Sequence, residues 1–60
     1  MTLAERTQYH LAQYHITQND FHRAACDYFF MAQASIDQHD IKGATYRYRQ
    51  GVHYAQEAVR

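Results

Sequence analysis

Apolar positions recur along this chain at intervals of three and four, and polar clusters interrupt them twice. Ala4, Thr7, Leu11 and Tyr14 fall on one line, the periodicity of a helix with one packed face. Thr2 followed by Glu5 reads as a capping box, in which the hydroxyl accepts from a first-turn amide and the carboxylate reaches back. These signals predict a helix over about residues 3–16. Thr17-Gln18-Asn19-Asp20 is a polar turn, because Asn and Asp side chains compete for backbone amides and favour turns and N-caps.

The second helix is predicted over about residues 20–37. Phe21, Ala24, Tyr28, Met31 and Ser35 mark one face, and Ala25, Phe29, Ala32 and Ile36 the adjacent one. Cys26, Phe30 and Ala34 widen the apolar surface further. A helix apolar over most of its circumference is buried on more than one side. Phe29, Phe30, Met31 and Ile36 are therefore the expected interface of a dimer. Leaving such a Phe in water forgoes roughly 2–3 kcal/mol, and two-fold pairing lets one patch serve both copies.

Gln38-His39-Asp40 is the next break, with Asp40 placed to cap Ile41. In the third helix, predicted over about residues 41–58, Ile41, Thr45, Tyr48, Val52, Ala55 and Val59 are spaced four, three, four, three and four. That is a short heptad seam. Gly43 and Gly51 each cost roughly 1 kcal/mol against Ala inside a helix. Gly51, beside Val52, points to a close backbone approach. The expected fold is all-α: a three-helix arrangement in which an antiparallel helical hairpin carries a third packed helix, assembled as a dimer.

Composition sharpens this picture. Large aliphatics are scarce, and the apolar inventory is Ala plus Tyr and Phe, which suits thin, closely packed helices. Sixty residues make one small domain of marginal stability. The single cysteine excludes an intramolecular disulfide, as befits a reducing compartment. Residues 1–20 contain no signal-like apolar run, and Tyr28–Ala32, the longest apolar stretch, is too short to span a membrane; the expected location is cytoplasmic.

Formal net charge is zero but unevenly placed. Arg6 and Arg23 against Glu5, Asp20, Asp27, Asp37 and Asp40 leave residues 1–40 at −3; Lys42, Arg47, Arg49 and Arg60 against Glu57 leave residues 41–60 at +3. Such separation can dock one segment, or one subunit, on another.

Candidate chemistry is thin. His22 and Cys26 stand four apart, but a structural zinc site wants four ligands in paired short spacings. The five histidines are expected at surface and boundary positions, with no metal and no cofactor. Cys26, mid-helix among apolar residues, is expected to be inert. No phosphate loop or nucleophile elbow occurs, and Asp37, His39 and Asp40 are explained by capping. Catalysis is not expected.

Lys42, Tyr46, Arg49 and His53 form one stripe on the third helix and are the expected partner-binding residues, since Tyr and Arg are enriched at protein interfaces. A second reading is a nucleic-acid-associated regulator using Lys42, Arg47 and Arg49, where cations alternate with Tyr46 and Tyr48. Zero net charge weighs against it.

Ala12, Asn19-Asp20-Phe21, Ala24, Tyr28 and Met31 stand at the small, turn, small, aromatic and small positions of one tetratricopeptide repeat, which residues 11–31 resemble. Asn19 replaces the usual Gly and Met31 the usual Ala. The resemblance implies an antiparallel helical hairpin; peptide binding belongs to arrays of three or more repeats. In length, absence of targeting signals and His/Gln/Tyr-rich helices, the chain is also similar to short accessory proteins of lambda-like temperate phages, which implies a regulatory factor acting on a host protein. The expected function is that of a small non-enzymatic protein–protein interaction module.

Overall fold

A computed structural model describes residues 1–60 as three helices, α1 (Leu3–Thr17), α2 (Asp20–Asp37) and α3 (Ile41–Ala58). The predicted boundaries hold except that α1 runs one residue further. Each helix starts at the cap its sequence announces. Thr2 Oγ1 accepts from the Glu5 amide at 3.1 Å, and Glu5 Oε1 accepts from the Thr2 amide at 2.9 Å. Asn19 Oδ1 accepts from the Phe21 amide, and Asp40 Oδ1 from that of Gly43. Asn19 works in both directions, because its Nδ2 also donates to the Ala58 carbonyl at 3.1 Å. The α1–α2 turn is thereby tied to the end of α3. No helix is long and apolar enough to cross a membrane.

The end of α2 is a Schellman motif. The Asp40 amide donates to Ser35 O at 2.8 Å and the His39 amide to Ile36 O at 2.9 Å, with His39 at φ 61°. That left-handed position is normally glycine, since a Cβ costs roughly 1–2 kcal/mol there. His39→Gly is expected to raise stability by up to about 1 kcal/mol, after the larger unfolded-state entropy of glycine is subtracted. A chemical-denaturation midpoint that fell would contradict this.

Short turns make neighbouring helices antiparallel, and α2 lies between α1 and α3, which barely touch each other. The molecule measures 34 × 17 × 17 Å, long for its width because an 18-residue helix spans about 27 Å. Its core is small: Ala25, Cys26, Phe29, Ala32 and Ala44. Phe29, fully enclosed, sits at its centre. Gly51 is what lets α3 come this close, as a Cβ there would lie 2.7 Å from the Phe29 ring. The close approach read from the sequence is thus real.

The face of α3 that makes the approach differs from the predicted one. Ala44 and Gly51 are buried, with Arg47, Tyr54 and Ala58 partly covered. The heptad seam instead lies beside the core: Ile41 is 65% and Val59 75% exposed, Val52 and Ala55 are half-buried, and Tyr48 reaches the edge of Phe29. The Phe29 ring already fills the space between α2 and α3, so α3 turns its small-residue line toward α2. Its bulkier line would hold the backbones apart.

On α1 the inward face is likewise rotated. His10 is buried and Leu3, Arg6, Thr7, Gln13 and Tyr14 are partly covered, while Ala4 and Leu11 are exposed. Here α2 offers an imidazole and an aromatic ring rather than aliphatic holes. His10 stacks on Phe29 at 5.7 Å, and Arg6 lies over the Phe29 and Tyr48 rings at 5.9 and 5.7 Å.

Candidate interaction surface

The four residues expected to form one dimer patch separate into three environments. Phe29 is 0% exposed and spent in the intramolecular core, which removes it from any external surface. Phe30, 65% exposed, and Met31 lie on the outer side of α2. They lie one and two residues beyond Phe29, and each residue turns a helix by about 100°. Ile36 lines a cleft at the end of the molecule where α1 and α3 begin and α2 finishes.

That cleft has a volume of about 330 Å³ and is lined by Leu3, Ile36, Ile41, Ala44, Thr45 and Tyr48. None of these carries a charge. Ile41, Thr45 and Tyr48 are the N-terminal half of the α3 seam, so the heptad line opens into the cleft and continues as half-buried Val52 and Ala55 and exposed Val59.

Lys42, Tyr46, Arg49 and His53 are all exposed along α3, as the stripe requires. Arg47 is not available in the same way. Its Nη1 donates to Ser35 Oγ at 3.0 Å and stands 3.9 Å from Asp40 Oδ2. This contact takes one of the three cations from the nucleic-acid reading. It also joins the acidic and basic parts of the chain within one molecule, and Arg60 pairs with Glu57. Lys42 and Arg49 form no ion pair.

Two of the five histidines depart from the expected surface and boundary placement, while His15, His39 and His53 are exposed. His10 and His22 are buried, and their Nδ1 atoms lie 2.9 Å apart in a hydrogen bond between α1 and α2. One ring donates and the other accepts, and the stacked Tyr9 and Phe29 rings enclose His10. A signal for this pair was in the sequence. His10 continues the Leu3, Thr7, Tyr14 line, and His22 stands four and seven residues before Cys26 and Phe29. Polarity obscured it. No three His, Cys, Asp or Glu side chains come together as a metal-sized group.

Burial, then the positive fields of His22 and Arg6, push His10 below its ordinary value of 6.5. Backbone and side-chain hydrogen bonds from Thr2 lower Glu5 from 4.5. Burial, with Asp27, raises the Cys26 thiol above 9.0 against a smaller opposing pull from Arg23. A neutral thiol is a poor nucleophile.

The signs fix a stability profile. The lowered His10 gives stability that is whole above about pH 6.5 and declines as pH falls through its folded value. Glu5 adds a further loss below about 4.5. The raised Cys26 gives stability that declines as pH climbs past about 9. Thermal melting is expected to show a plateau between the histidine and thiol limits; a melting temperature that rose on acidification from pH 7 to 5.5 would contradict it.

Among the residues carrying the repeat resemblance, Ala12 and Met31 are exposed, and Tyr28 stacks on Tyr54 of α3 at 5.5 Å. Contacts between α1 and α2 include His10 with His22 and Phe29, and Arg23 over the Tyr14 ring. No family model, curated protein or solved structure matches the chain.

Proposed function

We propose that this chain is a non-catalytic protein-binding module that pairs with a second copy of itself through the seam of α3. The observation that carries the reading is the line Ile41, Thr45, Tyr48, Val52, Ala55 and Val59, which has coiled-coil spacing and leaves Ile41, Thr45, Tyr48 and Val59 exposed, with Val52 and Ala55 half-buried. Its spacing of four, three, four, three and four reads the same in both directions. Antiparallel pairing about residue 50 sets Ile41 against Val59, Thr45 against Ala55 and Tyr48 against Val52 of the second copy. One surface then serves both copies, as two-fold symmetry requires.

A standard interface takes about 800 Å² from each partner, roughly a fifth of the 4290 Å² this chain exposes. The cleft walls at Leu3 and Ile36 extend the seam toward that size. Lys42 and Arg49 border it as a polar rim. Tyr46 and His53 lie further out, a surface for a further protein partner.

This pairing has a salt signature. Two-fold symmetry about residue 50 places both Arg49 side chains on the same edge, next to the axis, where like charges repel. The dimer is expected to tighten as salt screens them, and Arg49→Gln is expected to tighten it by up to about 1 kcal/mol at low salt. A phosphate-driven complex behaves oppositely and weakens steeply with salt. Sedimentation equilibrium at low and high salt reads the difference; self-association that weakened with salt would overturn the proposed register.

A further inference from the structure

We propose that the His10–His22 pair is a proton-operated latch, which holds α1 on the α2–α3 hairpin and lets it go when both imidazoles are protonated. The geometry sets the proton count. With the two Nδ1 atoms 2.9 Å apart, the neutral pair has one Nδ1–H pointing at the other ring's lone pair, and the accepting ring carries its proton on Nε2. A first added proton goes to Nε2 of the donor ring and leaves the hydrogen bond intact. A second must occupy the Nδ1 that is accepting. Two N–H groups then face each other across a gap sized for one hydrogen, and two cations stand with ring centroids 5.1 Å apart. The contact cannot persist in that state.

The surroundings do not rescue it. On α1, Arg6 adds positive charge one turn from His10, and Tyr9 stacks on the ring. Glu5 is held in the capping box with Thr2. On α2, Cys26 is an uncharged buried thiol and Asp27 pairs with Arg23 at the surface. Asp20 is exposed in the first turn, where the helix dipole itself disfavours added positive charge. From α3 the approach to this region is Gly51 and Tyr48, against Phe29 and Arg6; Arg47 is turned to Ser35 and Asp40. Neither ring is ion-paired with a carboxylate that could balance a second proton.

Release concerns α1 because the α2–α3 contacts do not run through the hydrogen bond between the two rings. They include Phe29 on Gly51 and Tyr48, Phe21 and Tyr28 on Tyr54, and Arg47 with Ser35, and of these only Phe29 also touches His10. Undocking α1 also withdraws Leu3 from the cleft and Arg6 from Tyr48, so the latch would alter the surface assigned above to self-association. That consequence rests on the proposed function; the latch itself does not.

The test is residue-resolved amide hydrogen exchange of the full chain at pH 7 and pH 5, corrected for intrinsic exchange rates. Protection in α1 is expected to fall at least tenfold while the centres of α2 and α3 keep theirs. His10→Phe, which keeps the stack on Phe29 without a titrating group, is expected to abolish the difference; His22→Gln, which keeps a hydrogen-bonding but non-titrating side chain, covers the case in which His10→Phe does not fold. His53→Ala, altering an exposed histidine, is expected to leave it intact. Equal loss of protection in all three helices, no loss in α1, or an α1 transition that survives in the folded latch variants would overturn the proposal. None of these readouts depends on dimerisation.

Discussion

Phe29→Ala is expected to unfold the chain at room temperature. The ring is fully buried and is the common neighbour of His10, Tyr48 and Arg6, with the Gly51 backbone beneath it. Truncating a buried Phe typically costs about 3–5 kcal/mol, from lost transfer energy and from the cavity left behind. A single small hydrophobic core rarely supplies more than about 3–5 kcal/mol in total. The remaining core is mostly alanine, which cannot collapse into the space. Far-ultraviolet circular dichroism reads the outcome as loss of most helical signal. A cooperative melt within a few degrees of the parent would show that Phe29 is not the keystone described here.

Gly51→Val is expected to be nearly as damaging, for the opposite reason. A Cβ would meet two Phe29 ring carbons at 2.7 and 2.8 Å, and the enclosed ring has nowhere to go. Overpacking costs typically about 1–3 kcal/mol, and the further bulk of Val places its cost at the upper end. Gly51→Ala separates the competing effects. Helix propensity alone favours Ala by about 1 kcal/mol, whereas the contact opposes it. Because Phe29 is rigidly held, the contact is expected to win, giving a net loss in thermal stability. Combining Gly51→Ala with Phe29→Leu is expected to recover part of that loss, the non-additivity of two residues in contact. A Gly51→Ala variant more stable than the parent would contradict the close approach.

The local signals in the sequence were accurate because they are local. Thr2 with Glu5, Asn19 before Phe21, and Asp40 before Gly43 each act over two or three residues, and no tertiary contact is needed to read them. Which face of each helix turns inward was harder. On α3, hydrophobicity favoured Ile41, Tyr48 and Val52, but size decided, and Ala44 and Gly51 won the contact with α2. On α1, His10 displaced Leu11 because its partner on α2 is another histidine. A polar residue on a packed line reads as surface until its partner is known, and this partner is twelve residues away.

The candidate surface was legible in the same uneven way. The stripe of Lys42, Tyr46, Arg49 and His53 follows from helical spacing and is exposed throughout. The heptad pattern of α3 was visible too, but what it packs against was not. Phe29 and Phe30, adjacent in sequence, end in opposite environments, since one step along a helix is enough to carry a side chain from core to solvent.

The central claim, self-association through the α3 seam, is tested most directly by sedimentation equilibrium over a wide range of concentrations with two charge-insertion variants. The parent is expected to approach dimer mass as concentration rises. Ile41→Glu, placing a carboxylate on a residue that is already 65% exposed in the single chain, is expected to keep helicity and remain monomeric. Phe30→Glu, on the outer side of α2, is expected to dimerise like the parent. A parent that stays monomeric throughout, or a dimer abolished by Phe30→Glu and untouched by Ile41→Glu, would contradict the account.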